Sequence, residues 1–189
     1  KAGGHLGFKA DDIPTAMETF DAEVKKIIEV VKEFAAEFKE TVPVVFAGGV
    51  FSKEDVEHYM SLGCDGVQMA TRFVATEECD APLDFKERYV NAKEEDILLL
   101  KSPVGMPGRG IHNAFTDRIK KEIIPIEKCR NCLSYKHCDR KTIPYCISEA
   151  LLNAVNHNTE NALLFCGSNA YRVNEITTVK AIMDELFPM

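Results

Sequence analysis

Four cysteines, Cys129, Cys132, Cys138 and Cys146, stand in a C-x2-C-x5-C-x7-C array. A C-x2-C pair chelates a metal through two thiolates, and four thiolates close a tetrahedral zinc site or hold an iron–sulfur cluster. Spacing does not choose between these, and four free thiols packing a small satellite core fit it as well. Two glycine pairs offer a different chemistry: Gly3 and Gly4 in KAGGHLGF, and Gly48 and Gly49 at the end of TVPVVFAGG. Backbone amides without a side chain in front of them can approach an anionic ligand closely. Ala70, Thr71 and Arg72 follow a second strand-like run, DGVQMA. They add a hydroxyl and free N–H donors where a strand meets a helical turn. His5 follows the first glycine pair, and an imidazole with a pKa of about 6.5 serves as base or hydrogen-bond donor at neutral pH.

The elements that must position these groups read as alternating helix and strand. EVKKIIEVVKEFAAEFKE (23–40) places Val24, Ile27, Ile28, Val31, Phe34, Ala35 and Phe38 on one helical face. The apolar run at 41–49 reads as a short strand buried on both faces, as in a parallel sheet. Ser52 and Asp55 form a capping-box pattern ahead of a helix that stops at Gly63. DGVQMA (65–70) reads as the next strand. This order, with short connections, is the rhythm of right-handed βαβ units. Further on, 84–93 reads as a helix, 96–100 as a strand and the glycine- and proline-rich run 102–113 as a loop. Helices follow at 114–123 and 147–156, and a closing helix at 175–187 carries Ile176, Val179, Ile182, Met183 and Leu186 on one face. His58 reads as a solvated group on a charged helix, and Cys64, Cys79 and Cys166 as buried apolar side chains.

The 189 residues suit one domain of ordinary size, with a hydrophobic share of 46% and a charged share of 28%. A formal net charge of −7 argues against a general nucleic-acid surface. No apolar run is long enough to span a bilayer, and no signal peptide is evident, so a cytoplasmic protein with reduced cysteines is expected.

The motifs together resemble a known family. AGGH, AGGV some forty residues later, DGVQMATRF and SPVGMPGRGIHNAF are similar to the flavin-dependent nitronate monooxygenases. The related FMN-dependent enoyl-acyl carrier protein reductases share the first three. The tail, through YCISEALLNAV and LLFCGSNAYRVNEITTVKAIMDEL, resembles one bacterial branch, so the likeness covers nearly the whole chain. It implies an α/β fold, the C-terminal part of a (β/α)8 TIM barrel. Residues 1–80 would carry the last βα units of an FMN-binding barrel, and 81–189 a post-barrel helical region with the cysteine cluster 129–146 and the closing helix.

The resemblance also implies a cofactor, FMN, and a set of residues. Gly48, Gly49, Gln68, Met69, Ala70 and Thr71, with Ala47 beside them, match positions lining the FMN phosphate and ribityl chain. Gly3 and Gly4 match the glycines that approach the flavin, and His5 matches the active-site histidine. The family usually has glycine where this chain has Ala70, whose methyl narrows the phosphate pocket or calls for a negative φ. The expected function is oxidation of alkyl nitronates or nitroalkanes with oxygen. The alternatives are an enoyl-acyl carrier protein reductase-like enzyme and a metal-binding accessory module holding zinc or an iron–sulfur cluster. The expected partners are a small-molecule substrate, the remaining N-terminal part of the barrel and a further copy of the chain, with neither nucleic acid nor membrane. The chain by itself is expected to be inactive.

Overall fold

The computed structural model of the protein describes residues 2–13, 18–132 and 138–188. Helix α1 (Phe20–Phe38) leads into strand β1 (Val45–Ala47), helix α2 (Lys53–Leu62), strand β2 (Gly66–Gln68) and a single helical turn α3 (Thr71–Val74). The strands β1 and β2 pair in parallel, Val45 with Gly66, Phe46 with Val67 and Ala47 with Gln68. The βαβ rhythm read from the sequence is therefore present, although each strand is only three residues long.

Local signals explain the boundaries. Ser52 and Asp55 form the expected reciprocal capping box, the Ser52 N–H donating to Asp55 Oδ2 at 2.9 Å. Gly63 ends α2 at φ +106°, a conformation that only glycine adopts cheaply. Two expectations are corrected. Val45 and Ala47 are exposed while Phe46 is buried, so β1 is covered on one face only. Along α1, Val24 and Ile28 are buried, but Ile27, Phe34 and Phe38 are 56%, 48% and 55% exposed, so only part of the apolar stripe finds a partner.

Helix α4 (Leu83–Val90) precedes strands β3 (Ile97–Leu100) and β4 (Gly108–Ile111), which pair antiparallel. Helix α5 (Ala114–Ile119), helix α6 (Ile147–Val155) and the closing helix α7 (Val179–Leu186) complete the chain. The run 102–113 is thus not all loop. Gly108 and Gly110 sit in β4 because neighbouring groups press on them. A Cβ at Gly110 would lie 3.1 Å from both Leu100 Cδ1 and the Leu164 carbonyl oxygen. Glycine here marks a close approach rather than a turn. The region after residue 80 therefore contains an antiparallel strand pair, which a purely helical appendage would lack.

Three apolar clusters hold the fold. Val24, Ile28, Phe46, Val56 and Cys64 pack with Ile182 and Leu186 of α7, so the closing helix returns to the first βαβ unit. Ala75, Tyr89, Ile111, Leu164, Cys166 and Val173 form a second cluster, and Leu100, Phe115, Tyr145, Ala150 and Leu163 a third. A buried Leu, Phe or Ile in such a cluster contributes about 1.5–3 kcal/mol.

Candidate functional site

The ends of β1 and β2 open into one cavity of about 260 Å³. Its walls include Gly3, Gly4, Ala47, Gly48, Gly49, Gln68, Met69, Ala70 and Thr71. Residues far apart in the chain, singled out from the sequence, thus meet around one space. Gly48 and Gly49 turn the chain at φ +101° and +79°. A Cβ on Gly49 would stand 2.6 Å from the Ala2 Cβ, and one on Gly48 3.0 Å from the Gly3 amide nitrogen. The two glycine loops therefore touch backbone to backbone, which no larger residue permits. Ala70 takes φ −129°, so its methyl is accommodated in the negative-φ region.

A second set of walls was not anticipated. Phe165, Cys166, Gly167 and Asn169 line the same cavity from the far end of the chain. This strap is tied to each loop in turn. The Gly167 N–H donates to Thr71 Oγ1 at 2.8 Å, the Ser168 N–H to the Ala2 carbonyl at 2.9 Å, and the Asn169 amide to the Gly49 carbonyl at 2.5 Å. Arg109 of β4 secures the first loop from below, its side chain donating to the Gly3 carbonyl and its N–H to the Gly4 carbonyl, both at 2.5 Å. The Arg109 guanidinium is buried, and burial lowers its pKa from the ordinary arginine value. Burial likewise pushes the neighbouring Cys166 thiol up to about 12, the Arg109 charge offsetting this in part. The only sequence cue to the strap is the single glycine in FCGSN, too common a pattern to single out.

His5, also singled out from the sequence, is not itself a wall of the cavity, but it follows Gly4 and stands against Phe165, both of which are. Its backbone bridges to Gly108, its ring is exposed, and the ring centroid is 4.3 Å from that of Phe165. The other described histidines have acidic neighbours away from the cavity. His58 meets Asp21 at 3.0 Å, so it is paired rather than merely solvated, His112 meets Asp117 at 3.0 Å, and His157 meets Asp84 at 3.1 Å.

The cysteine segment behaves differently. Among the described residues, no group of three or more His, Cys, Asp or Glu side chains is arranged to hold a metal ion. The zinc or iron–sulfur site expected at Cys129, Cys132, Cys138 and Cys146 is therefore unsupported, with 133–137 lying outside the described residues. Cys129 is engaged locally, its Sγ accepting the Asn131 N–H at 3.4 Å, and Cys146 sits at the start of α6. Desolvation first, and then the neighbouring cysteines, raise the Cys138 pKa. Cys64 and Cys166 are buried as expected, and Cys79 is half-buried.

The family model described as nitronate monooxygenase matches residues 1–188. The chain belongs to the nitronate monooxygenase family. Within the family, a probable nitronate monooxygenase of Staphylococcus aureus (strain Newman) is 30% identical over 122 residues, which is 64% of this chain and 32% of that protein. Among solved structures, FabK from Thermotoga maritima superposes with a TM-score of 0.66 at 24% identity, over 98% of this chain and 50% of that one. The nitroalkane oxidase from Streptomyces ansochromogenes gives 0.64 at 20% identity, over 98% and 48%. At these identities the likeness is one of fold, and the chain spans about half the length of the solved relatives. Among the described residues, no helix is long and apolar enough to cross a membrane.

Proposed function

We propose that this chain forms the phosphate-side portion of an FMN site in an oxidoreductase that oxidises alkyl nitronates or nitroalkanes. The observation that carries the reading is the cavity at the ends of β1 and β2, to which Gly48 and Gly49 present backbone without side chains. Such a bare backbone surface, at the ends of parallel strands, suits a phosphate. Thr71 fits the same role. Its hydroxyl oxygen already accepts the Gly167 N–H, so the hydroxyl proton is directed to another acceptor. Gly48, Gly49 and Thr71 would hold the phosphate, with Gln68, Met69 and Ala70 along the ribityl chain and Gly3 and Gly4 nearer the flavin ring. A cavity of about 260 Å³ is slightly smaller than the ~300 Å³ at which complete small-molecule sites begin. The exposed stripe Ile27, Phe34 and Phe38 on α1 offers a surface for the rest of a barrel.

When bound, FMN supplies the electron transfer from nitronate to oxygen that no side chain here can carry. The chain's own residues bind and orient. His5, next to the cavity walls Gly4 and Phe165, would take the proton next to a nitro group with its neutral ring and hold the nitronate charge with its protonated ring. Phe165 makes that part of the cavity wall apolar.

The test uses the full natural protein purified without oxygen. Flavin absorbance bands, with turnover of ethyl nitronate that consumes oxygen, are expected. A colourless protein that takes up no FMN overturns the reading. Turnover of an enoyl thioester with NADPH but not of nitronate would move the protein to the reductase class, for which the same cavity serves.

A further inference from the structure

We propose that Phe165 is a specificity-determining residue, a fixed apolar wall beside both the glycine-loop cavity and His5 that sets which carbon chains reach the imidazole. This rests on the reading of that cavity as a flavin site, but not on which of the two reactions occurs there. Phe165 lines the cavity and its ring centroid lies 4.3 Å from that of His5, tilted by 45°. It therefore borders both the cofactor space and the candidate base.

Backbone and ring contacts hold it there. The Tyr89 hydroxyl donates to the Phe165 carbonyl at 2.6 Å, and the next residue's N–H donates to the Arg109 carbonyl at 3.0 Å. Phe165 bridges to Gly110 across β4. Its ring edge occupies the space above Gly108, where a Cβ would lie 2.7 Å from Phe165 Cε1. A ring seated on glycine backbone, with its own backbone bonded on two sides, cannot swing aside without moving the strap. The strap in turn is bonded to Thr71, Ala2 and Gly49. The wall is flat and has no donor or acceptor, so it selects by shape and favours short, unbranched chains over bulky ones.

The experiment compares the full protein with its Phe165→Ala and Phe165→Leu variants. The readout is the ratio of kcat/KM for a bulky substrate, cyclohexyl nitronate, to that for ethyl nitronate. If the enoyl reaction is the active one, branched and straight short-chain enoyl thioesters take their place. One extra or missing methylene in an apolar pocket changes such a ratio about 10–200-fold. We expect Phe165→Ala to raise it at least tenfold and Phe165→Leu by less. In parallel, the His5 ring-proton NMR resonances of the apoprotein should move in Phe165→Leu, because an aromatic neighbour has been removed. This second readout needs no flavin and survives if the alanine variant fails to fold. A ratio within twofold of wild type in a leucine variant of normal flavin content, or unmoved His5 resonances, overturns the proposal. Absence of flavin from the wild-type protein instead overturns the cofactor reading, and the specificity role with it.

Discussion

The glycine loops and the cysteine segment are built from opposite materials. In the loops, backbone makes the surface: Gly48 and Gly49 at positive φ bring two chain segments to within 3.0 Å of an imagined Cβ. In the cysteine segment, side chains carry the chemistry, and bringing four thiols to one point depends on the path of the chain between them. A glycine at positive φ constrains its own few residues wherever it occurs. A cysteine constrains nothing until something binds it, and Cys129 instead caps its own turn through the Asn131 N–H. Spacing alone is therefore stronger evidence for a loop that must be bare than for a cluster that must converge.

The sharpest way to break this comparison is Gly49→Ala in the full protein. The methyl would meet Ala2 Cβ at 2.6 Å and force an L-residue to φ +79°. The left-handed conformation by itself costs about 1–2 kcal/mol, and the overlap adds to it. We expect flavin affinity, measured by fluorescence titration of the apoprotein, to fall by at least 100-fold. Replacing Cys129, Cys132, Cys138 and Cys146 together by serine should leave that affinity within about twofold. Equal losses in the two variants would show that the cysteine segment supports the cavity, and the contrast drawn here would be lost.

A smaller effect sharpens the cavity side. Thr71→Val keeps the shape of the side chain but removes the acceptor for the Gly167 N–H and the donor proposed for the phosphate. One lost hydrogen bond to a charged group is worth about 1.5–3 kcal/mol. We expect flavin affinity to fall about tenfold, and Thr71→Ser to restore most of it. Failure of serine to rescue would mean that the threonine acts through packing.

What was legible in the sequence follows the same division. The capping box at Ser52 and Asp55 and the stop at Gly63 come from signals within a few residues, and the parallel pair β1–β2 from the strand–helix–strand order around them. The Phe165–Asn169 strap was not legible, because its role lies in bonds to Ala2, Gly49 and Thr71, roughly a hundred residues or more away. Strand β4 was hidden for a related reason. Its glycines answer to Phe165 and Leu164, partners that periodicity along 102–113 cannot reveal. The α1 stripe was legible as apolar, but helical spacing does not say what covers Ile27 or Phe34.

The mildest test contrasts the two regions through their thiols. Burial pushes Cys166 up to about 12 from an ordinary 9.0, and it raises the pKa of Tyr89 beside it in the same way. Both groups are neutral when protonated, so the low-dielectric cluster disfavours their ionised forms. The unfolded chain, with ordinary pKa values, releases these protons more readily. Their contribution to stability is therefore complete below about pH 9 and declines as pH rises towards 12. Chemical unfolding of the protein at a series of pH values should show this alkaline loss, and Cys166→Ala should flatten part of it. At pH 8, iodoacetamide should modify Cys129 and Cys146, which are half-buried, while Cys166 stays unmodified until the protein unfolds. Rapid labelling of Cys166 in the folded protein would show that the strap opens on its own, and the rigid wall assigned to Phe165 would have to be given up.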